Sequence, residues 1–282
     1  MDSSNPACAT YLNRKCKAEN SIKVISKRTK FMAKYYRQNF SMPDSIIFYI
    51  AKNPKTAALY LKMVQTCKYF FVKNPIIIIL NLNAYGGKWR SGNVPLNLTK
   101  YNCKYWITNK IYSCGYEFVD KNIFCPIIPK LYQCDAKSLY LYSQIVSFND
   151  LSLLISSVEE ICIHNVIVKH ADSSDVPLED IVAIAINAKS VEIIKPTITS
   201  KTMKELTKLP NFTTLDNLRL YNLSEVFDID AFYVYMKKNQ YTNFSLYFDK
   251  SISNAYKNRL KSFIDEILET KELDYKPPFM FF

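Results

Sequence analysis

The sequence predicts an α/β protein, with a short all-helical unit followed by a curved parallel sheet lined on its outside by helices. Three observations predict it. Short strands with apolar residues two apart recur through residues 76–282, amphipathic helical patterns fill the intervals, and residues 41–75 carry only helical patterns broken at two Asn-Pro pairs.

In residues 41–75, Ser41 and Asp44 offer capping oxygens and Pro43 suits a first helical turn. Ile46, Ile47 and Ile50 follow at helical spacing, and Asn53 with Pro54 stops the helix. A second helical pattern starts at Thr56 and places Leu59, Met63, Val64, Cys67, Phe70 and Phe71 on one broad stripe, ending at Asn74 and Pro75. Two short helices are too small for a good core of their own, so their apolar face is expected to need a partner.

From residue 76 onward the strand pattern repeats. Leu139/Leu141, Ile161/Ile163, Val191/Ile193, Leu218/Leu220 and Phe244/Leu246 each form an i, i+2 pair, with first members 22, 30, 27 and 26 residues apart. Ile78/Leu80/Leu82, and Trp106/Ile107 with Ile111, have the same look earlier in the chain. Helical patterns lie between, over 150–158, 177–188, 199–209 and 228–238, and a final one over 253–271 carries Tyr256, Leu260, Phe263, Ile264 and Ile267 on one face. Strand, turn and helix at a period near 26 is a leucine-rich-repeat-like arrangement, in which each unit buries its strand residues by stacking on its neighbours. Asn165 and Asn222 stand near the asparagine position of that repeat. The last helix is expected to cover the open end of the core. A doubly wound α/β domain would give the same alternation of strand and helix.

Composition narrows the chemistry. Among 282 residues there are 4 glycines, and Gly86, Gly87 and Gly92 match no phosphate-cradling pattern. Two histidines, His164 and His170, leave little material for acid–base or metal chemistry. The longest apolar run, 76–80, is far short of the roughly 20 residues of a membrane span. Without an apolar leader the chain is expected inside the cell, in cytoplasm, nucleus or both. The 8 cysteines are then thiols, read as small buried apolar residues. The regular spacing of Cys103, Cys114, Cys125 and Cys134 raises a zinc site, but it lacks the usual tight ligand pairs, so no metal is assigned.

Charge is uneven. Residues 1–150 hold 22 Lys and Arg against 7 Asp and Glu, a net +15, while 151–282 hold 15 against 18, a net −3; together they give the +12 of the chain. Much of the excess lies in residues 1–40, read as a basic, flexible tail, with a nuclear signal around Lys27–Lys30 or a nucleic-acid contact as sharper alternatives.

Met42, Pro43, Asp44, Ser45, Ile46 and Ile50, with Thr66, Cys67, Lys68, Tyr69 and Phe70, resemble the F-box. The match departs at Met42 (Leu in the family) and at Thr66 (an apolar residue in the family). With the segments at 52–75 and 225–239, the whole resembles divergent F-box-like proteins of nematodes over residues 42–271. That resemblance implies docking on the Skp-family adaptor of a cullin–RING ubiquitin ligase, through Pro43, Ile46, Ile47, Ile50, Leu59, Val64, Cys67, Phe70 and Phe71. It implies that the repeat domain holds a protein substrate. Independently of the family, those apolar residues must be buried somewhere, whether against a partner or against the first repeat.

Cys162 and His164 fall on one side of their strand, which permits a thiol–imidazole pair. The sequence shows no orienting carboxylate and no oxyanion device beside them, so no catalytic residue is assigned, and no cofactor is expected. Tyr140, Tyr142, Tyr221 and Tyr247 alternate with core positions, with Arg219 in the same register, and so should project from the face opposite the helices. Tyrosine there offers contact area and a hydrogen-bonding tip, and Arg219 could meet an acidic group on a protein substrate. The expected function is a non-catalytic, substrate-recruiting adaptor. The competing reading is a repeat scaffold whose helical unit is an N-terminal cap.

Overall fold

The computed structural model describes residues 40–98, 102–115 and 123–282. The basic segment at the start, apart from Phe40, lies outside the described residues. Residues 42–282 form one compact unit, so the helices of 41–75 share a body with the sheet.

Those helices are three: α1 (Asp44–Lys52), α2 (Ala57–Thr66) and α3 (Lys68–Lys73). The second pattern expected from sequence is therefore split. At Cys67 the backbone is extended, with φ −149° and ψ 125°, and its sulfur accepts from the Tyr69 amide to start α3. The other breaks fall at the Asn-Pro pairs, and the Thr56 hydroxyl caps α2 by accepting from the Leu59 amide.

Among the described residues a single sheet of eleven strands follows: β1 (Ile76–Tyr85), β2 (Lys88–Ser91), β3 (Val94–Pro95), β4 (Lys104–Cys114), β5 (Leu131–Cys134), β6 (Ser138–Ser147), β7 (Glu160–Lys169), β8 (Ser190–Ile194), β9 (Asn217–Leu223), β10 (Asn243–Phe248) and β11 (Phe279–Phe281). β2 and β3 are antiparallel additions at one edge, and the rest pair in parallel. The β1–β2 turn is two residues long, and Gly86 and Gly87 both have positive φ, 51° and 75°, as such a hairpin demands. That is the work of the glycine pair.

Between the later strands run α4 (Phe148–Ile155), α5 (Leu178–Ile184), α6 (Thr202–Leu206), α7 (Pro210–Thr213), α8 (Ile229–Met236) and α9 (Asn254–Glu269). From β6 to β11 each strand's neighbour is the next in sequence. A doubly wound sheet reverses its strand order at a switch point, and this half does not. The repeat positions stack in register: Leu139, Ile161, Val191, Leu218 and Phe244 form one row, and Leu141, Ile163, Ile193, Leu220 and Leu246 the next. Both rows are buried with Leu151, Leu154, Ile181, Leu206, Phe232 and Leu260 of the helices in one continuous core. The core therefore lies on one face of the sheet, and the other face of these strands is left uncovered by helices.

Ser143, Asn165, Lys195 and Asn222 each follow a member of the register row Tyr142, His164, Ile194 and Tyr221 and share a left-handed backbone, with φ of 49°, 53°, 59° and 60°. Four successive strands thus turn at the same register point. Asparagine adopts that region readily, whereas serine and lysine adopt it at a cost.

The first helix lacks the expected side-chain cap: its N-cap position is Pro43, and neither Ser41 nor Asp44 bonds its free amides. Two strand positions differ as well. Leu80 is exposed, because a register shift between Ile79 and Asn81 reverses the alternation of β1 and leaves Ile79 and Leu82 as the core positions. The last helix does not end the sheet: α9 buries Leu260 and Phe263, but β11 follows it and pairs with β10 as the edge strand. Phe279 and Phe281 project from that edge, exposed, with no helical or repeat pattern around them to announce a strand.

Candidate functional site

Two regions emerge, the helical unit and the uncovered face of the repeat strands. The helical unit is latched to the first strands by polar contacts. Tyr60, 1% exposed, donates its hydroxyl to the Asn74 carbonyl at 2.6 Å and accepts from the Ile76 amide at 3.1 Å. The Asn74 side-chain amide donates to the carbonyls of Ala51 and Lys52, at 3.1 and 3.3 Å, tying α1 to the start of β1. Tyr60, Ile76 and Trp106 form a small core of their own, separate from the main one, with Ala57, Val64, Ile78 and Tyr132 against it. Since Tyr105 and Ile107 belong to the main core, Trp106 points to the opposite side of β4. At the β1–β4 end the helical unit thus lies over the face of the sheet opposite the main core.

This divides the residues that the sequence grouped as one contact surface. Ile47 and Phe70 are buried within the protein, and Ile50, Val64, Cys67 and Phe71 are half-buried. Pro43, Ile46 and Leu59 are exposed. Ile47 and Phe70 hold the unit together and present no outward surface. Phe48, Tyr49 and Leu61, outside the expected contact set, are exposed although apolar. Their spacing within α1 and α2 could not reveal it, because the inward side of each helix is set by Tyr60, Ala51 and the strands beneath.

On the uncovered face, all five side chains expected there lie in two adjacent register rows. Tyr142, His164, Ile194, Tyr221 and Tyr247 follow one another in one, and Tyr140, Cys162, Glu192 and Arg219 in the other. Tyr221 and Tyr247 stack with ring centres 4.3 Å apart, and Tyr142 stands 5.3 Å from Tyr112. Tyr140 donates its hydroxyl to Glu160 at 2.6 Å, with the Lys110 ammonium 4.2 Å from its ring centre. Burial together with the Glu160 carboxylate pushes the Tyr140 phenol up to about 12.

Between the two tyrosine groups sits a feature that the sequence half showed. His164 Nε2 is 3.1 Å from Cys162 Sγ and 2.8 Å from Glu192 Oε1. Glu192 comes from the next strand, 28 residues on, directly opposite Cys162. It is the carboxylate that the local sequence lacked, and aligning the repeats by their apolar pairs would have placed it beside Cys162. Its other oxygen lies 3.4 Å from Arg219 Nη1, and the Tyr142 hydroxyl is 3.5 Å from Cys162 Sγ. Burial raises the Cys162 thiol above its ordinary value; the Tyr142 hydrogen bond opposes this and the nearby Glu192 charge adds to it. A nucleophilic cysteine needs the reverse shift. It also needs a base whose second ring nitrogen meets the orienting group, whereas here both partners meet Nε2.

The regular cysteine series does not converge. Among the described residues, the three that bring metal-ligating atoms within 4.8 Å of one another are Cys162, His164 and Glu192. Cys134 is buried, Cys103 and Cys114 are half-buried, and Cys125 is exposed, so reading every thiol as a buried apolar residue fails at Cys125. None of the described helices is long and apolar enough to cross a membrane.

Comparison of the chain with protein-family models, with curated proteins and with solved structures finds no match.

Proposed function

We propose that the protein is a substrate-recruiting subunit of a Skp–cullin–F-box type ubiquitin ligase, with an F-box-like helical unit and a leucine-rich-repeat-like domain. In this reading the helical unit docks the Skp-family adaptor, and the uncovered face around Tyr140, Tyr142, Arg219, Tyr221 and Tyr247 takes a protein substrate. It has no catalytic step of its own; ubiquitin conjugation is carried out by the partner ligase.

The observation that carries the reading is the surface of α1 and α2. Ile46, Phe48, Tyr49, Leu59 and Leu61 are all exposed although the unit's inward residues are already seated. Ile46 and Tyr49 lie one turn apart, as docking anchors on a helix do. Apolar side chains gathered on so small a unit favour a protein partner.

The test is capture of purified Skp-family adaptor by the full-length chain, repeated with Ile46→Asp and Tyr49→Asp. Both residues are exposed, so the circular dichroism spectrum should be unchanged in the variants. Adaptor retained by the wild type and lost by both variants is the expected result; a folded wild type that retains none would sink the reading.

A second reading has its own support. The small core of Tyr60, Ile76 and Trp106 seats the helices on the first strands as an N-terminal cap would. If the adaptor is not bound, the protein is a repeat scaffold for another interaction, and the same five exposed side chains remain its surface to explain.

A further inference from the structure

We propose that Cys162 Sγ, His164 Nε2 and Glu192 Oε1 together bind a divalent transition metal ion, zinc above all, and leave one coordination position open toward the uncovered face of the sheet. The proposal stands apart from the docking reading, since it uses none of the helical unit.

The hydrogen bonds of the cluster are the first ground. One ring nitrogen, Nε2, faces a sulfur at 3.1 Å and a carboxylate oxygen at 2.8 Å. A neutral imidazole nitrogen either donates or accepts. If Nε2 donates to Glu192, one proton is shared between two acceptors. If it accepts from the thiol, its lone pair faces a carboxylate lone pair. Three electron-pair donors aimed at one small space are satisfied together by a cation.

Donor type and charge are the second ground. Thiolate, imidazole and carboxylate are all zinc ligands, and the soft thiolate with the borderline imidazole disfavours magnesium and calcium, which take oxygen donors. The thiolate and the carboxylate carry two negative charges against the two positive charges of the ion. On binding, the Cys162 S–H bond breaks, its proton leaves to water, and a sulfur–metal bond forms with no change of oxidation state.

The scaffold is the third. Cys162 and His164 are two apart on β7, and Glu192 pairs with Cys162 across β7 and β8, so backbone pairing holds all three Cα positions. All three ligand atoms lie within 4.8 Å of one another. Tetrahedral zinc with bonds of about 2.0–2.3 Å spaces its ligand atoms roughly 3.3–3.8 Å apart, which small side-chain rotations reach from here. Around them Arg219 approaches the second Glu192 oxygen and Tyr142 approaches the sulfur, the outer contacts that fix ligand orientation. Three protein ligands and a half-exposed surround leave the fourth position for water or for a donor on a bound partner.

The test is titration of the reduced full-length protein with Co2+, followed by displacement with Zn2+. The expected result is a single equivalent of cobalt with thiolate-to-cobalt charge-transfer absorption, abolished by Zn2+. Cys162→Ser should remove that absorption, His164→Ala and Glu192→Gln should each weaken cobalt binding at least tenfold, and Arg219→Ala should weaken it about tenfold. Cys125→Ser, which alters the exposed thiol, should leave the spectrum unchanged. A folded wild type that binds no cobalt, or a charge-transfer band that survives both Cys162→Ser and His164→Ala, would overturn the proposal. Should Cys162→Ser fail to fold by circular dichroism, His164→Ala decides.

Discussion

The two ends of this sheet treat the same strand alternation in opposite ways. At the β1–β4 end both faces are covered: Tyr105 and Ile107 face the main core, and Trp106 faces Tyr60 beneath the helices. Through β6 to β10 one face is buried to within a few per cent, and the other carries half-buried tyrosines, Cys162, His164 and Glu192. Alternation alone gives both ends the same expectation of one buried and one open side. What differs is whether a further layer arrives. Where it does, the outward row becomes a second small core; where it does not, the row keeps polar tips that bond one another across strands.

The covered end is most sensitive at Trp106. Its full burial predicts that Trp106→Ala destabilises the protein by about 3–5 kcal/mol in chemical denaturation. Tyr142→Ala, on the open half of the same face, should cost far less. Equal losses at the two positions would mean that the open face is covered in solution.

A subtler cut is Tyr60→Phe, which keeps the ring and removes the hydroxyl that bridges Asn74 and Ile76. Leaving a buried amide and carbonyl without that partner should cost about 1–3 kcal/mol. No change in the denaturation midpoint would show that the latch is dispensable.

On the open face, the stacked pair Tyr221 and Tyr247 should couple by about 0.5–1.5 kcal/mol in a double-mutant cycle to alanine. A coupling near zero would argue that the rings are free for a partner and not for each other.

The smallest expected effect is at Glu159, in the turn before β7. It meets Lys189 at 2.8 Å and Lys137 at 2.9 Å. The Lys189 and Lys137 bonds hold its carboxyl at about 2, below the usual 4.5. A depressed carboxyl contributes stability that is present above its unfolded value and lost as pH falls through the folded one. The contribution should therefore fade between about pH 4.5 and 2. Carbon-detected NMR titration of Glu159 should show the low midpoint, and Lys189→Met should raise it; screening by salt should shrink the difference.

Much of the repeat was legible in the chain. The apolar pairs from Leu139/Leu141 to Phe244/Leu246 mark strands that stack in register, because a period of two on a pleated strand leaves one register in which every apolar side chain is buried. Tyr140, Tyr142, Arg219, Tyr221 and Tyr247 were placed on the opposite face by the same argument. The register shift at Leu80 was not legible, since it depends on how β1 meets β4. Strand β11 was not legible either, since three residues with exposed Phe279 and Phe281 carry no period. Phe70 and Ile47 looked no different from Ile46 in sequence, yet two are inside and one outside.

The alternating pattern, the start of α2 at Thr56 and the Asn-Pro breaks are set within the local sequence, because each of these is a contest settled over a few residues by backbone sterics and local hydrogen bonds. Long-range packing sets which side of α1 and α2 is turned inward, that Trp106 has a cover, and that Glu192 stands beside Cys162 and His164. Those outcomes depend on which strand lies next to which. That choice is made by burial of the whole core, and no short stretch of chain contains it.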